Sequence, residues 1–465
     1  MLLEQYYLGC LSQASYLIGD EQTGTAIVVD PRRDVDEYVE DAAKYGLTIK
    51  HVILTHFHAD FVAGHLELRK RTGARIYLGL GAKAEYEFTP LGDGDVLECG
   101  RVRLRVLATP GHTPEGISLL VHDLAADPSH PKAVLTGDTL FIGDVGRPDL
   151  FASSGISAEA LATQLYDSIR EKLLPLPDDT LLYPGHGAGS ACGKSLSTET
   201  VSTIGAQRRA NYALQPMSKA EFVKLVTADQ PEAPAYFGRD AELNRRERPL
   251  LEDALALELR PLSLDAVLSA QSDGAQLLDA RDPAEFADGH LPGSLNIGLG
   301  GRFATWAGTL LAPDRPVVLI GTPGREPEAA VRLGRVGFDR VIGYLEGGVE
   351  TARGRLALRR SPRRVTPADL RDRLATAGVP VFDVRTPAEH QQEAIPGSQN
   401  IPLHQLRDRL AEFPTAGPIV VYCRTGERSS TAASLLEQAG RTGVMDLVGG
   451  ITAWRKLIPE AHAHV

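Results

Sequence analysis

Six side chains of metal-ligating type fall at the ends of short apolar runs in the first half of this chain. HVILT (51–55) runs into His56, His58 and Asp60, RLRVLATPG (103–111) into His112, AVLTG (133–137) into Asp138, and TLLYPG (180–185) into His186. Imidazoles and carboxylates at the carboxyl ends of neighbouring strands converge on one edge of a sheet, where loop backbone lets them point together. That is the chemistry of a bound metal ion. A lone histidine such as His122 or His130 reads better as a surface or capping residue, but four strand ends repeating one design, with Gly111 and Gly185 beside two of the ligands, do not. Near the other end, PIVVY (418–422) runs into Cys423, and RTGERS after it opens the helical stretch SSTAASLLEQAG. A thiolate or persulfide placed there faces backbone N–H groups at a helix N-terminus, with Arg424 and Arg428 as neighbouring cations. The expected chemistry is nucleophilic.

The elements that position these groups can be read from length, composition and repeats. At 465 residues and 43 % hydrophobic, the chain exceeds what one core can hold, and about three domains are expected. A formal charge of −11 without long like-charge blocks argues against nucleic acid or an anionic membrane as partner. Glu4 and Gln5 stand where a signal peptide needs a basic start and an apolar run, and no segment approaches the roughly 18 apolar residues of a membrane span. Four widely spaced cysteines, Cys10, Cys99, Cys192 and Cys423, suit free thiols in a reducing cytoplasm, the expected location. Cys10 and Cys99 read as core or strand positions.

The stretch LLDARDPAEFADGHLPGSLNI (277–297) returns as VFDVRTPAEHQQEAIPGSQNI (381–401), an offset of 104 residues. PVVLIGTPG and YLEGGVETAR likewise return as PIVVYCRTG and DLVGGITAWR at an offset of 102. Two tandem copies of one parallel α/β domain follow, over 258–360 and 362–465. The charged run RDAELNRRERP (239–249) reads as a linker or solvated helix, and residues 1–245 as a first domain of the α+β class. Helices are expected there over 35–45, 65–72 and 158–174.

The motifs THFHAD (55–60), TPGHT (109–113), GDT (137–139) and PGH (184–186) resemble those of the metallo-β-lactamase superfamily. The resemblance implies an αββα sandwich with the site along one sheet edge. Dinuclear hydrolases of that superfamily, such as glyoxalase II, place a second-metal His directly after the motif's Asp; here Phe61 stands there, and a phenyl ring donates no lone pair. A site with one metal is then expected; His65, four residues on, either compensates as a ligand or sits one turn into the following helix. His56, His112 and Asp138 would supply the two-imidazole, one-carboxylate face that leaves open positions on non-haem Fe(II). This pattern, with GDTLFIGDVGRPDLF (137–151), resembles the persulfide dioxygenases. That resemblance implies His56, His112 and Asp138 as ligands of one Fe(II) per chain, with His58, Asp60 and His186 hydrogen-bonding and orienting them. The implied reaction oxidises the outer sulfur of a small thiol persulfide, such as glutathione persulfide, to sulfite with O2. Arg147 either holds a carboxylate of the thiol carrier or pairs with Asp149 to fix its loop. Cys192, six residues beyond His186, is a candidate persulfide acceptor.

Cysteine phosphatases place five residues between Cys and Arg; only four separate Cys423 from Arg428, and the smaller ring suits sulfur. CRTGERS, with DVRTPAEH, IPGSQNIP and GGITAW, resembles the rhodanese sulfurtransferases and implies Cys423 as a nucleophile carrying persulfide between thiosulfate and a thiol or sulfite. In the earlier copy Gly321 and Glu326 take the places of Cys423 and Arg428, so that copy resembles an inactive rhodanese. The combined expectation is a persulfide dioxygenase with a thiosulfate sulfurtransferase, homo-oligomerisation being left open. The alternative is a zinc thioester hydrolase of the glyoxalase II type with an accessory rhodanese module.

Overall fold

The computed structural model describes residues 1–151, 155–376 and 378–457, so the end of the 362–465 copy, from 458, lies outside the described residues. The chain divides into two compact units, Met1–Asp253 with Gly334–Gly337, and Ala254–Leu333 with Phe338–Val465.

In the first unit, strands Leu2–Leu8, Gln13–Asp20, Thr25–Val29, Thr48–Ile53, Arg75–Gly79 and Thr89–Leu91 form one sheet in that order. Ser202–Thr203, Leu181–Pro184, Ala133–Gly137, Ile117–Asp123, Val102–Ala108 and Val96–Cys99 form the second. Side-chain alternation sets the layers. Ile117, Leu119, Val121, Ala133 and Leu135 point inward to Tyr16, Ile18, Ile27 and Val29 of the facing sheet. Leu120 and Val134 point the other way, into Leu165, Ile169 and Phe222 of the helical layer. A sheet apolar on both faces must be covered on both, and the result is an αββα sandwich. Helices Asp36–Lys44 and His65–Thr72 lie on the first sheet. Ala158–Asp167, capped by Ser157, continues as a π-turn over Ser168–Leu173.

The run at 239–249, expected as a linker or a solvated helix, is partly helical and partly buried. It contributes to the helix Phe237–Leu243, and Asp240, Asn244 and Arg248 are buried. Its charged residues have internal partners, Arg248 pairing with Glu67, which composition alone does not reveal.

The second unit contains two five-stranded sheets whose pairings are all parallel. Pro261–Leu262, Val341–Leu345, Val317–Ile320, Gln276–Asp279 and Leu295–Asn296 make the first; Arg363–Val365, Val444–Leu447, Ile419–Tyr422, Val381–Asp383 and Gln399–Asn400 the second. The copies repeat each other in detail. Asn296 donates to the carbonyls of Asp279 and Arg281, as Asn400 does to those of Asp383 and Arg385. The first copy also grips helix Glu427–Gln438 of the second: Ser430 donates to Asn296 Oδ1, the Asn296 N–H donates to Ser434, and His290 lies 3.1 Å from Glu437.

Candidate metal centre and sulfur-carrying loop

The strand ends of the first unit bring all six expected ligand-type residues together. Asp138 Oδ2 lies 3.8 Å from His56 Nε2, 3.5 Å from His112 Nε2 and 3.6 Å from His186 Nε2. His186 Nε2 is also 3.5 Å from Asp60 Oδ2. All six residues are buried, and both carboxylate oxygens of Asp60 and Asp138, with His186 Nε2, have no hydrogen-bond partner among the described residues. Orphaned buried carboxylates cost several kcal/mol each, so this donor set fits a cation. Metal–ligand bonds of about 2.1 Å put neighbouring donors about 3–3.5 Å apart, close to the spacing found. Donor atoms of His56, His112 and Asp138 lie within 4.8 Å of one another, as do those of His58, Asp60 and His186, and of Asp138, His186 and Cys192.

Hydrogen bonds on the far side of the His56, His112 and His186 rings turn their lone pairs inward. His112 Nδ1 lies 2.8 Å from the Arg147 carbonyl and His186 Nδ1 3.1 Å from that of Ser12, so each Nδ1–H donates and leaves Nε2 bare. His56 Nδ1 meets Thr55 Oγ1 at 3.0 Å, and that hydroxyl donates to Asp30 Oδ2 at 2.8 Å. Burial, then the neighbouring imidazoles, push His56 well below the usual imidazole range, which keeps it neutral and able to ligate. Burial works against charge on His58 too, but Asp30, 3.0 Å from its Nε2, lifts it.

Asp30 was not among the residues read from the sequence. It ends the run TAIVV, one more apolar strand running into a carboxylate, and that was the available signal. With φ at 52°, it sits in the left-handed region that costs a non-glycine residue energy, held there by the Thr55 N–H and hydroxyl on its carboxylate. Asn244 was missed as well. Its Nδ2 donates to the carbonyls of His58 and Phe61 and its Oδ1 accepts from the Ala63 N–H, tying the ligand loop from both ends. Phe61 is fully buried, its ring centroid 4.4 Å from that of His58. His65 opens the helix His65–Thr72 against Tyr86 and belongs to none of the three donor sets. The two glycines beside ligands have steric reasons: a Cβ at 185 would lie 2.5 Å from Asp138 Oδ1, and one at 111 would lie 2.4 Å from Leu165.

Arg147 is placed as a brace. Its guanidinium pairs with Asp149 through two 2.7 Å bonds and donates to the carbonyls of Ala191 and Pro231, occupying four of its five N–H groups. Of the two readings left open by the sequence, the pair with Asp149 describes its contacts. Cys192 is buried beside Asp138 and His186. Burial, then the charges of Asp60 and Asp138, push its thiol well up. Cys99 is buried at a strand end, whereas Cys10 lies in a turn, half-buried, and not in a strand or the core.

In the second unit, Cys423 follows the strand Ile419–Tyr422 and precedes the helix Glu427–Gln438. Its Sγ accepts from the Gly426 N–H at 3.1 Å and lies 3.7 Å from Ser429 Oγ. Gly426 has φ of 114°, the left-handed turn that aims this N–H at the sulfur. Arg428 is bidentate to Glu389, at 2.7 and 2.8 Å. Burial alone would raise the Glu389 carboxyl, yet Arg428 brings it down to about 2. Arg424 is exposed. Cys423 itself is buried. No helix among the described residues is long and apolar enough to cross a membrane.

Comparison with known proteins finds relatives of both parts of the chain. The metallo-β-lactamase superfamily model matches residues 8–186, and the rhodanese-like domain model matches 263–352 and 366–457. Human mitochondrial persulfide dioxygenase ETHE1 is 32% identical over 230 residues, covering 49% of this chain and 80% of that protein. A hydroxyacylglutathione hydrolase of Bradyrhizobium is 33% identical over 257 residues, covering 54% and 89%. A crystal structure of a metallo-β-lactamase from Staphylococcus aureus is 34% identical with a TM-score of 0.66, covering 74% of this chain and 98% of that one. The homology and the donor set together imply a metal-binding site. The chain belongs to the metallo-β-lactamase superfamily, with persulfide dioxygenase relatives, and carries two C-terminal rhodanese-like domains.

Proposed function

We propose that this chain is a persulfide dioxygenase (1–245) joined to an inactive rhodanese copy (258–360) and an active thiosulfate sulfurtransferase (362–465). One Fe(II) is assigned to His56, His112 and Asp138. Bound there, it would supply open positions at which a thiol persulfide and O2 are activated together. The observation that carries this reading is the set of inward-turned Nε2 atoms around an unpartnered Asp138, with Phe61 in place of a second-metal histidine.

The chain's own groups do the positioning. The Arg147 carbonyl fixes the His112 ring and the Thr55 hydroxyl that of His56. His58, Asp60 and His186 orient the site without being assigned the iron, and Cys192 is proposed as a thiol that can take up sulfur beside it. The overall conversion consumes O2 and water, oxidises the outer sulfur of a persulfide such as glutathione persulfide to sulfite, and releases the thiol. Alkylation of Cys192 that leaves oxygen uptake unchanged would remove it from this account. At the second site, the Cys423 thiolate attacks the sulfane sulfur of thiosulfate. The S–S bond to the sulfonate breaks, sulfite leaves with the electron pair, and the persulfide remains under the Gly426 N–H. The reverse transfer, from persulfidated Cys423 to sulfite, uses the same groups. Partners are thus small persulfides, thiosulfate, sulfite and O2, in a cytoplasmic setting.

A second reading has its own support: the His58, Asp60 and His186 set beside the first, and the hydroxyacylglutathione hydrolase relative, fit a two-zinc thioester hydrolase. Assaying one preparation for oxygen uptake on glutathione persulfide and for hydroxyacylglutathione hydrolysis separates them. Uptake without hydrolysis supports the dioxygenase; hydrolysis without uptake contradicts it.

A further inference from the structure

The loop of the first rhodanese-like copy keeps the shape of the Cys423 loop while losing its chemistry. Gly321 follows Val317–Ile320 as Cys423 follows Ile419–Tyr422. The Ala280 N–H donates to Ile320 as the Val384 N–H does to Tyr422, at 2.8 and 2.9 Å. Gly324 and Gly426 share the left-handed turn, with φ of 90° and 114°, as do Gly348 and Gly450 behind them, with 64° and 57°.

What differs is the group held. In the second copy the turn's N–H, from Gly426, meets the Cys423 sulfur. In the first copy the equivalent N–H, from Gly324, donates to Glu326 Oε2 at 2.7 Å. Glu326 is only 4% exposed, and it lies over the residue that replaces cysteine: a Cβ at 321 would be 3.1 Å from Glu326 Cγ and 3.7 Å from Oε1. The exchange of Arg for Glu explains the turn inward. Arg428 points to Glu389, the capping-box glutamate of its copy; Glu285 is the matching residue in the first copy, so a glutamate directed the same way would meet a like charge. The loop amide offers the nearest compensation for a buried carboxylate.

We propose that the first rhodanese-like copy retains an anion cradle of the same build, occupied by the Glu326 carboxylate as a built-in ligand that excludes small sulfur oxyanions and persulfides. Its silence then has two causes, the missing thiol and a plug, of which only the first is evident from the absence of cysteine. The proposal rests on the reading of Cys423 as a sulfur carrier. Restoring the site would let a thiolate at 321, its proton lost to solvent, attack the sulfane sulfur of thiosulfate. The new S–S bond forms as the old one breaks and sulfite departs with the electron pair.

The test uses the full chain with Cys423→Ser as parent. Thiosulfate binding is measured by calorimetry, and sulfur loading by mass spectrometry of the peptide containing residue 321. Glu326→Arg is expected to gain a thiosulfate site absent from the parent. Gly321→Cys is expected to stay unloaded, and Gly321→Cys with Glu326→Arg to rise from background to a one-sulfur adduct. Position 321 has no left-handed φ, and the three atoms nearest a Cβ there all belong to the flexible Glu326 side chain. Loading of Gly321→Cys as complete as that of the double variant would overturn the plug, and so would Glu326→Arg binding no thiosulfate. Failure of Cys423 to load in the unsubstituted chain would instead strike the sulfurtransferase reading.

Discussion

At the metal edge, the four carboxylate oxygens of Asp60 and Asp138 have no hydrogen-bond partner among the described residues, whereas around Cys423 the neighbouring polar groups are already engaged with one another. Gly426 holds the sulfur, Ser429 donates to the Gly426 carbonyl, and Arg428 is locked on Glu389. The first arrangement is unbalanced until a cation arrives; the second is closed by the chain's own groups. The two reactivities should therefore respond to different perturbations.

The largest effects fall on the reactive groups themselves. Asp138→Ala is expected to lower persulfide-dependent oxygen uptake by more than about 100-fold, beyond the range for residues that only support a ligand, while thiosulfate sulfurtransfer persists. Cys423→Ser should do the reverse. Chelation should abolish oxygen uptake alone, and loss of both activities on metal removal would break the contrast. Next comes Asp30→Asn, expected to weaken metal binding by about 10–100-fold, read from metal retained after dialysis against graded chelator.

Much of this was legible because the chemistry sits where strands end. His56, His112, Asp138 and His186 each close an apolar run, so periodicity located them. Cys423 and Arg428 are near neighbours in the chain, the first in the loop and the second in the first turn of the helix that follows, so their spacing is plain in the sequence. The supports were harder to see. Asn244 reaches the His58 and Phe61 carbonyls from 186 and 183 residues away, inside a segment whose charge suggested solvent. Arg147 carries the residue type of an anion clamp, and only its contacts with Asp149, Ala191 and Pro231 reveal a brace. Glu326 is invisible as a plug without the geometry of Gly324, because a sequence shows the loss of a cysteine but not what fills its place.

Smaller effects sharpen the contrast. Asn244→Ala leaves buried carbonyls of His58 and Phe61 unpartnered and should cost about 1–3 kcal/mol in denaturant unfolding of the first unit. The smallest concerns acid stability. Glu389 is held at about 2 against an ordinary value near 4.5, so its pair with Arg428 stabilises the fold above about pH 4.5 and that stability is lost as the pH falls toward 2. Glu389→Gln should flatten the acid limb of the melting-temperature profile in that window; an unchanged limb would remove the pair from the stability of the sulfur loop.

A solitary iron at His56, His112 and Asp138 is checked by the metal content per chain after expression with iron and zinc both supplied. One iron per chain, lost in Asp138→Ala and accompanied by oxygen uptake on glutathione persulfide, is the predicted result. Two zinc ions per chain with no oxygen uptake would contradict it.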